Sequence, residues 1–442
     1  MGFATLSFVF AFLPVSILLF YISPKKWKTP VLLAISLLFY ITLDPTNLVM
    51  MLVSITYDYL MAHLILAAKK DVRLRKIPLM ACVVKNLLLI VVFGVQYQMT
   101  KIGVPLGLMV YTMTSMGYVI DVYRGDEPLE SNWLNFALFC TFFGKIFYGP
   151  IVQYSVMRQD IVDRKPSLSG ISTGLIVFTT GLAKQVILAQ GALGVYRQIT
   201  KIPYSEYSVA AVWVLVISFS FTMYFTLSGY SDMAQGLAQI FSMQLPESYR
   251  YPLQSRTVSG FFNRFNITVT QYINRYVYVF LGGDQGGFLS HALNTLLTAM
   301  LLGLWFGIRL NYLMWGVYFA LFMLLEKYFL MKYLKKIPVL FNRMYTFAIV
   351  VMSFTIFSGS SLGYTCYYLR AMFQFKTRDL LDGRTAYILN SNSLVLALCF
   401  LGLTSLWEKA SQWLQKKYPA LSAGLSGVFH IGLLTVTVAL ML

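Results

Sequence analysis

A few ionisable residues lie inside or beside long apolar runs, and they are the first candidates for chemistry. Asp121 and Arg124 close the stretch VIDVYRG one helical turn apart, so they can pair on one face of a helix. Lys145 lies in FFGKIFYGPI, Lys184 in GLAKQVILA and Asp232 in SGYSDMA. Ionisable residues within a membrane are costly and mark functional sites by default, whereas lysines near helix ends commonly snorkel towards water. We therefore expect both lysines to snorkel and Asp232 to occupy a buried structural or functional site.

The residue types that usually carry catalysis are scarce in this chain. It contains three histidines (His63, His291 and His430) and four cysteines without CxxC spacing. No zinc-type ligand set, GxSxG elbow or P-loop is present. The glycine-rich turn LGGDQGG at 281–287 is too general to indicate a phosphate site by itself. We therefore predict no metal and no bound cofactor, and we expect each histidine to be a packed or interfacial residue.

The composition indicates a membrane protein. Of the 442 residues, 58% are hydrophobic and only 12% are charged, whereas about a quarter of an ordinary soluble domain is charged. These values exclude a soluble enzyme, a disordered chain and a fibrous repeat. The net charge of +18 would suggest nucleic acid in a soluble protein. Here the basic residues fall between apolar runs, where they orient membrane helices, so we predict membrane lipids and no nucleic acid as partners.

The apolar runs predict an all-α polytopic protein. Lys25, Lys26 and Lys28 follow the first run and the basic stretch 69–76 follows the third, which places the N-terminus outside by the positive-inside rule. The polar middle, 228–287, is either buried chain lining a wet cavity or a long cytoplasmic loop with interfacial helices. We predict one membrane domain, 1–442, divided into N-terminal helices (1–227), a polar core (228–316) and C-terminal helices (317–442). After the first run, the apolar runs cover residues 31–43, 47–68, 80–95, 104–122, 133–151, 171–192, 208–227, 293–308, 311–329, 341–357, 393–406 and 424–442.

Besides the N-terminal stretches FLPVSILLFYISPKKWK and LLAISLLFY, five stretches between residues 104 and 316 carry a specific set of motifs. They are VPLGLMVYTMTSMGYVIDVYRG (104–125), FALFCTFFGKIFYGPIVQY (136–154), SGYSDMAQGLAQIFSMQLPESYRYPLQS (228–255), FFNRFNITVTQYINRYVYVFLGG (261–283) and LLGLWFGIRLNYLMWG (301–316). Together and in this order they resemble the membrane-bound O-acyltransferase (MBOAT) family, in particular its bacterial alginate O-acetylase-like branch.

The resemblance implies a ring of tilted transmembrane helices around a central funnel, with re-entrant or interfacial helices, in a bacterial inner membrane. In active members, an acyl-CoA or acyl-carrier protein donates from the cytoplasmic side. The acceptor is a hydroxyl of an envelope polysaccharide or of an extracytoplasmic acyltransferase partner. The candidates for the funnel and the substrate site are Asp232, Ser228, Tyr230, Arg264, Trp305, Lys184, Asp121 and Arg124.

Five positions depart from the family pattern: Gly144, Gln153 and Thr226 stand where the family has a proline, an arginine and an aspartate, and both family histidines are replaced. The histidine of the family's LWHG motif, which would be the catalytic base, corresponds to Phe306. The histidine of RWHITL, which would assist, corresponds to Asn266. A phenyl ring cannot accept a proton and an amide is not basic near neutral pH, so neither residue can serve as a general base.

Three functional hypotheses follow. In the first, the chain keeps the fold without histidine-dependent transfer and acts as a scaffold, acyl conduit or regulator beside an envelope-modifying partner. In the second, it is an envelope O-acyltransferase with rewired chemistry. In the third, it is a transporter or lipid flippase that reuses the funnel. We expect the chain to be linked to O-acylation of a cell-envelope polysaccharide, with impaired or non-standard catalysis.

Overall fold

The computed structural model describes residues 2–68, 71–359 and 362–442, and they form helices. No β-strand occurs among them, and the nearest feature is an isolated bridge between Tyr249 and Phe265. The all-α prediction is therefore confirmed. The α-helices are α1 (Leu13–Ile22), α2 (Lys28–Ile41), α3 (Leu48–Ala67), α4 (Val72–Thr100), α5 (Leu108–Arg124), α6 (Trp133–Thr141), α7 (Tyr154–Val162), α8 (Leu168–Ala183), α9 (Gln190–Ile199), α10 (Val209–Ile240), α11 (Val258–Phe262), α12 (Ile267–Ile273), α13 (Phe288–Leu304), α14 (Leu310–Leu325), α15 (Met331–Leu334), α16 (Val339–Ser358), α17 (Leu362–Ala371), α18 (Gly383–Ser391), α19 (Ser393–Gly402), α20 (Leu406–Lys417) and α21 (Pro419–Ala439).

Among the described residues, 6 helical segments are long and apolar enough to cross a membrane, or up to 7 if the bent pair α18 and α19 counts as one span. This number confirms a polytopic membrane protein. The 64° bend between α18 and α19 fits either a broken span or a re-entrant loop. The candidate spans are Pro45–Ala67, Val72–Thr100, Leu168–Ile199, Val209–Ile240, Leu310–Leu334 and Val339–Ser358.

Two of the predicted apolar runs differ from the helices that form. The run 133–151 gives only the short helix α6 and a single 3-10 turn, Phe143–Lys145, because Gly149 and Pro150 follow closely. The run 208–227 instead extends through the polar motif SGYSDMA to Ile240, so α10 has 32 residues. The polar middle therefore begins as membrane-length helix, not as a loop.

The chain forms two compact units, which are described separately. Unit 1 contains Met1–Leu182 and Tyr230–Glu247, and unit 2 contains Ala183–Gly229 and Ser248–Leu440. The predicted single domain stays a prediction, as do the ring and the funnel.

The core of unit 1 is rich in phenylalanine. Phe3, Phe8 and Phe39 are buried, with ring centroids 5.0–5.5 Å apart. Helices α8 and the last turns of α10 approach closely at Gly174 and Gly236, where a Cβ on Gly174 would lie 2.6 Å from the Gly236 carbonyl oxygen. Small residues allow such close helix contacts in membranes, which explains how the polar end of α10 packs as helix.

The core of unit 2 contains a tight helical pair, α13 and α14. A Cβ on Gly303 would lie 2.0 Å from the Tyr312 carbonyl oxygen, and one on Gly316 would lie 2.3 Å from the Ala299 carbonyl oxygen. The two backbones therefore touch at both glycines. This contact fixes the connection between the helices, residues 305–309, which carries Trp305 and Phe306.

Candidate functional site

The phenyl ring of Phe306 belongs to an aromatic cluster in unit 2. Its centroid lies 5.1 Å from that of Phe357, 5.8 Å from Trp315 and 6.4 Å from Tyr312. Trp315 is 1% exposed and its indole Nε1 donates to the Ser353 hydroxyl at 3.1 Å, which joins α14 to α16. The ring thus has an apolar packing role. No described residue in this cluster supplies a base.

Asn266 has a backbone role that suits its residue type. It precedes α12 with φ 51° and ψ 48°, the left-handed region, which asparagine tolerates better than most residues do. The Ile267 amide donates to the Ser248 carbonyl oxygen at 2.8 Å, and the Ser248 and Thr268 hydroxyls lie 3.1 Å apart. The start of α12 is therefore fixed to the segment before α11, and Asn266 supplies the turn.

Substituting Asn266 tests this backbone role. We expect Asn266→Val to lower the free energy of unfolding by about 1–2 kcal/mol, because a β-branched residue is strained at positive φ. Asn266→Gly should cost far less, since glycine has no Cβ. Thermal unfolding of the purified protein in detergent measures both. Asn263→Val is the matched control, since Asn263 is exposed with φ −69°. An equal loss for the Val and Gly variants at 266 would contradict the prediction.

Lys184 and Ser228 come together in unit 2, and neither predicted lysine snorkels. The Lys184 Nζ donates to the Ser228 hydroxyl at 3.1 Å, and Ser228 is fully buried. Lys184 starts a π-helical segment, Lys184–Ala189, within a candidate span, and such segments often occur at functional sites. In unit 1, Lys145 is 0% exposed, and its Nζ lies 4.4 Å from the centroid of the Phe139 ring. The snorkelling expectation was wrong, since the Lys184 amino group donates to a buried hydroxyl and the Lys145 amino group is buried without a hydrogen-bond partner among the described residues.

The remaining candidates occupy different places. Tyr230 and Asp232 lie on the last part of α10 in unit 1, where the Tyr230 ring packs 5.5 Å from that of Phe147 and Asp232 is half-buried. Asp121 is fully buried near the end of α5, and Arg124 is its last residue. The pairing of Asp121 with Arg124 stays a prediction. Trp305 and Arg264 lie in unit 2, with Trp305 half-buried and Arg264 exposed.

A buried polar network in unit 1 was missed by the sequence analysis. Asp58 on α3 is 0% exposed and accepts hydrogen bonds from Lys85 Nζ (2.9 Å), Asn86 Nδ2 (3.0 Å) and the Ser115 hydroxyl (2.6 Å). The Lys85 Nζ also donates to the Ser54 hydroxyl at 2.8 Å. Both charged residues interrupt predicted apolar runs, and that signal could have singled them out.

A second cluster surrounds His291 in unit 2. Its Nε2 lies 2.7 Å from Lys327 Nζ and 3.2 Å from Asp284 Oδ1, and its Nδ1 lies 3.1 Å from the Tyr328 hydroxyl. Hydrogen bonds from Lys327 and Tyr278 hold the pKa of the Asp284 carboxyl below its usual value. Burial and the hydrogen bond to Asp284 raise the pKa of Tyr278 to about 12. The cluster ties the LGGDQGG turn to α13, so His291 has a packed polar role.

The part of the chain that the structure describes contains no set of metal ligands, since no three His, Cys, Asp or Glu residues converge there. The two polar clusters described above each join one carboxylate to an amine and to hydroxyls, with an amide in the first and an imidazole in the second. They can orient a hydroxyl or a carbonyl by hydrogen bonding.

The sequence pattern of the membrane-bound O-acyltransferase family, MBOAT, matches residues 130–369, more than half of the chain. The chain belongs to this family. The matched region contains Phe306, Asn266, Lys184, Ser228 and Asp232, whereas Asp121 and Arg124 precede it.

Similar proteins include MBOAT relatives that are named for envelope modification. A probable alginate O-acetylase, AlgI, of Pseudomonas aeruginosa is 28% identical over 96% of this chain and 85% of its own length. A peptidoglycan O-acetyltransferase of Helicobacter pylori is 25% identical over 71% of this chain and 68% of its own length. A teichoic acid D-alanyltransferase of Bacillus subtilis is 24% identical over 58% of this chain and 68% of its own length.

Proposed function

We propose that this MBOAT-family protein takes part in the O-acylation of a cell-envelope polysaccharide, without a general base at position 306. Support comes from the similarity to acyltransferases of alginate and peptidoglycan along most of the chain. The lack of a general base at position 306 is supported by the aromatic cluster around Phe306. There the side chain at the family's catalytic position packs against Trp315 and Phe357.

The donor is proposed to be an acyl-CoA or an acyl-carrier protein on the cytoplasmic side of a bacterial inner membrane. The chain would lie with its N-terminus outside, because basic residues follow the first and third apolar runs. The acceptor is proposed to be a polysaccharide hydroxyl, or an extracytoplasmic acyltransferase that relays the acyl group.

Acyl transfer without a catalytic histidine would depend on other polar groups, such as those beside the π-helical segment Lys184–Ala189. Of the two needs of acyl transfer, removal of a proton from the attacking hydroxyl and stabilisation of the developing oxyanion, these groups meet the second. The Lys184 amine beside the Ser228 hydroxyl supplies a cationic donor for such an oxyanion. Asn266 can orient an oxygen with its amide.

The test of this proposal is the ester-linked acyl content of the cell envelope. A deletion strain is compared with strains restored by the wild-type gene, by Phe306→His and by Lys184→Met. We expect the deletion to lose the esters, wild type to restore them, and Lys184→Met to fail although it inserts normally in the membrane. Unchanged esters in both the deletion and the restored strains would sink the proposal.

A second candidate is a non-catalytic scaffold, or a conduit for acyl groups or lipids, beside an envelope-modifying partner. It is favoured by the packing roles of both altered positions, since Phe306 fills an aromatic cluster and Asn266 supplies a left-handed turn. Esters that appear only with Phe306→His would support this candidate, because the wild-type chain would then be a silent acyltransferase scaffold.

A further inference from the structure

A basic cleft in unit 2 contains none of the residues to which the acyl-transfer proposal assigns a role. Its volume is about 300 Å³. The cleft is formed by the segment that precedes α11, by α11 itself with the residues that follow it, and by the first turn of α16. The lining residues are Gln254, Ser255, Arg256, Thr257, Gly260, Arg264 and Arg343.

The charge of this cleft is unbalanced. Arg256, Arg264 and Arg343 are exposed, and none of the three guanidinium groups has an ion pair with a carboxylate in the described residues. Arginine presents a planar fork of N–H donors that matches the oxygen atoms of phosphate. Three such groups around one cleft repel each other unless an anion lies between them.

A buried hydroxyl in the same cleft lacks a partner. Ser255 is 3% exposed, and its Oγ makes no hydrogen bond to any described residue. A buried polar group without a partner costs free energy, so such a group in a native protein calls for an explanation. A phosphate oxygen in the cleft would supply the missing partner.

The backbone amides at the start of α11 already have hydrogen-bond partners, so they do not form the anion site. The amides of Val258 and Ser259 donate to the buried carboxylate of Glu326 at 2.6 and 3.2 Å, and the Gly260 amide donates to the Thr257 hydroxyl at 3.0 Å. An anion in the cleft would therefore be held by the arginine side chains and Ser255.

We infer that the cleft binds a phosphate group through Arg256, Arg264, Arg343 and the Ser255 hydroxyl. The position of Arg343 connects the cleft with the membrane surface. It lies one turn after the start of α16, a candidate span of 20 residues. Such a helix is about 30 Å long, so its first turn lies near the level of lipid phosphates. Phosphate could come from an anionic phospholipid or from a soluble compound, and the experiment separates these sources. The inference does not depend on any acyl transfer.

The experiment measures lipid and phosphate binding to the full-length protein in detergent. Native mass spectrometry counts the phosphatidylglycerol and phosphatidylcholine molecules retained by wild type and by the double variant Arg256→Gln/Arg343→Gln. The matched control is Arg197→Gln/Arg370→Gln, which removes two exposed arginines of the same unit outside the cleft. We expect phosphatidylglycerol affinity to fall at least about tenfold in the double variant and to stay unchanged in the control, because each charge-assisted contact contributes about that factor.

Inorganic phosphate distinguishes the two sources. If added phosphate does not displace phosphatidylglycerol from wild type, the site holds a lipid headgroup. If phosphate displaces the lipid, or itself stabilises wild type but not the double variant, the site holds a soluble phosphate group. Ser255→Ala leaves the charge of the cleft unchanged and should lower the affinity for either ligand several-fold. It keeps the inference testable if the double variant does not fold. Equal binding of both ligands by wild type, the double variant and the control would overturn the inference.

Discussion

Asp58→Ala is expected to lower the free energy of unfolding by about 3–5 kcal/mol. The carboxylate is fully buried between α3, α4 and α5, where it accepts from Lys85, Asn86 and Ser115. Its removal leaves the Lys85 charge largely buried without its counter-ion, since that side chain is only 22% exposed. Unfolding by a denaturing detergent, followed by circular dichroism, measures the loss.

The chain offers a matched control for this pair within the same unit. Lys25 and Asp163 form an ion pair of nearly the same length, 2.8 Å against 2.9 Å, but their side chains are 70% and 50% exposed. Solvent-exposed pairs contribute only about 0–1 kcal/mol, so Asp163→Ala should have a small effect. The double variant Asp58→Asn/Lys85→Met should recover part of the loss, because it removes both charges together. If Asp58→Ala and Asp163→Ala unfold at the same midpoint, the network has no stabilising role.

This network also shows what sequence reasoning could reach in this protein. Asp58 and Lys85 were visible as charges within apolar runs, and such charges indicate paired sites in membrane proteins. Their pairing depends on the packing of α3 against α4, which no local pattern contains. The same holds for Lys184, whose partner Ser228 is 44 residues away. Without a partner in view, snorkelling was the natural expectation, and it was wrong.

Position 306 illustrates the opposite case. Its departure from the family pattern could be read directly from the motif LWFG, because motif spacing is a local property of the chain. The aromatic partners of Phe306 could not be read from the motif, since Phe357 lies on α16 and contacts Phe306 only when α14 and α16 pack together. The extension of α10 through SGYSDMA was missed for a related reason. Polar and small residues weaken the apolar signal, but a close helix contact at Gly236 makes them suitable for a packed helix.

Gly316→Ala is expected to be, with Gly303→Ala, among the most damaging single methyl additions in unit 2. The new Cβ would lie 2.3 Å from the Ala299 carbonyl oxygen and 2.7 Å from the Ala299 carbonyl carbon, which are backbone atoms that cannot rotate away. Helices α13 and α14 must then separate, at a cost of about 1–3 kcal/mol or more for overpacking. The connection 305–309 would move with them, and with it the ring of Phe306.

The prediction separates packing from helix propensity. Gly432→Ala adds the same methyl group to the apolar helix α21, but nothing lies within 4 Å of its Cβ. It should leave the protein unchanged or stabilise it by about 0.5–1 kcal/mol, since alanine favours helix over glycine. Gly316→Ala should also change the near-ultraviolet circular dichroism of the aromatic residues, because Trp315 and Phe306 lose their packing. If the two variants unfold alike and keep the wild-type aromatic signal, the close contact of α13 and α14 does not position residue 306.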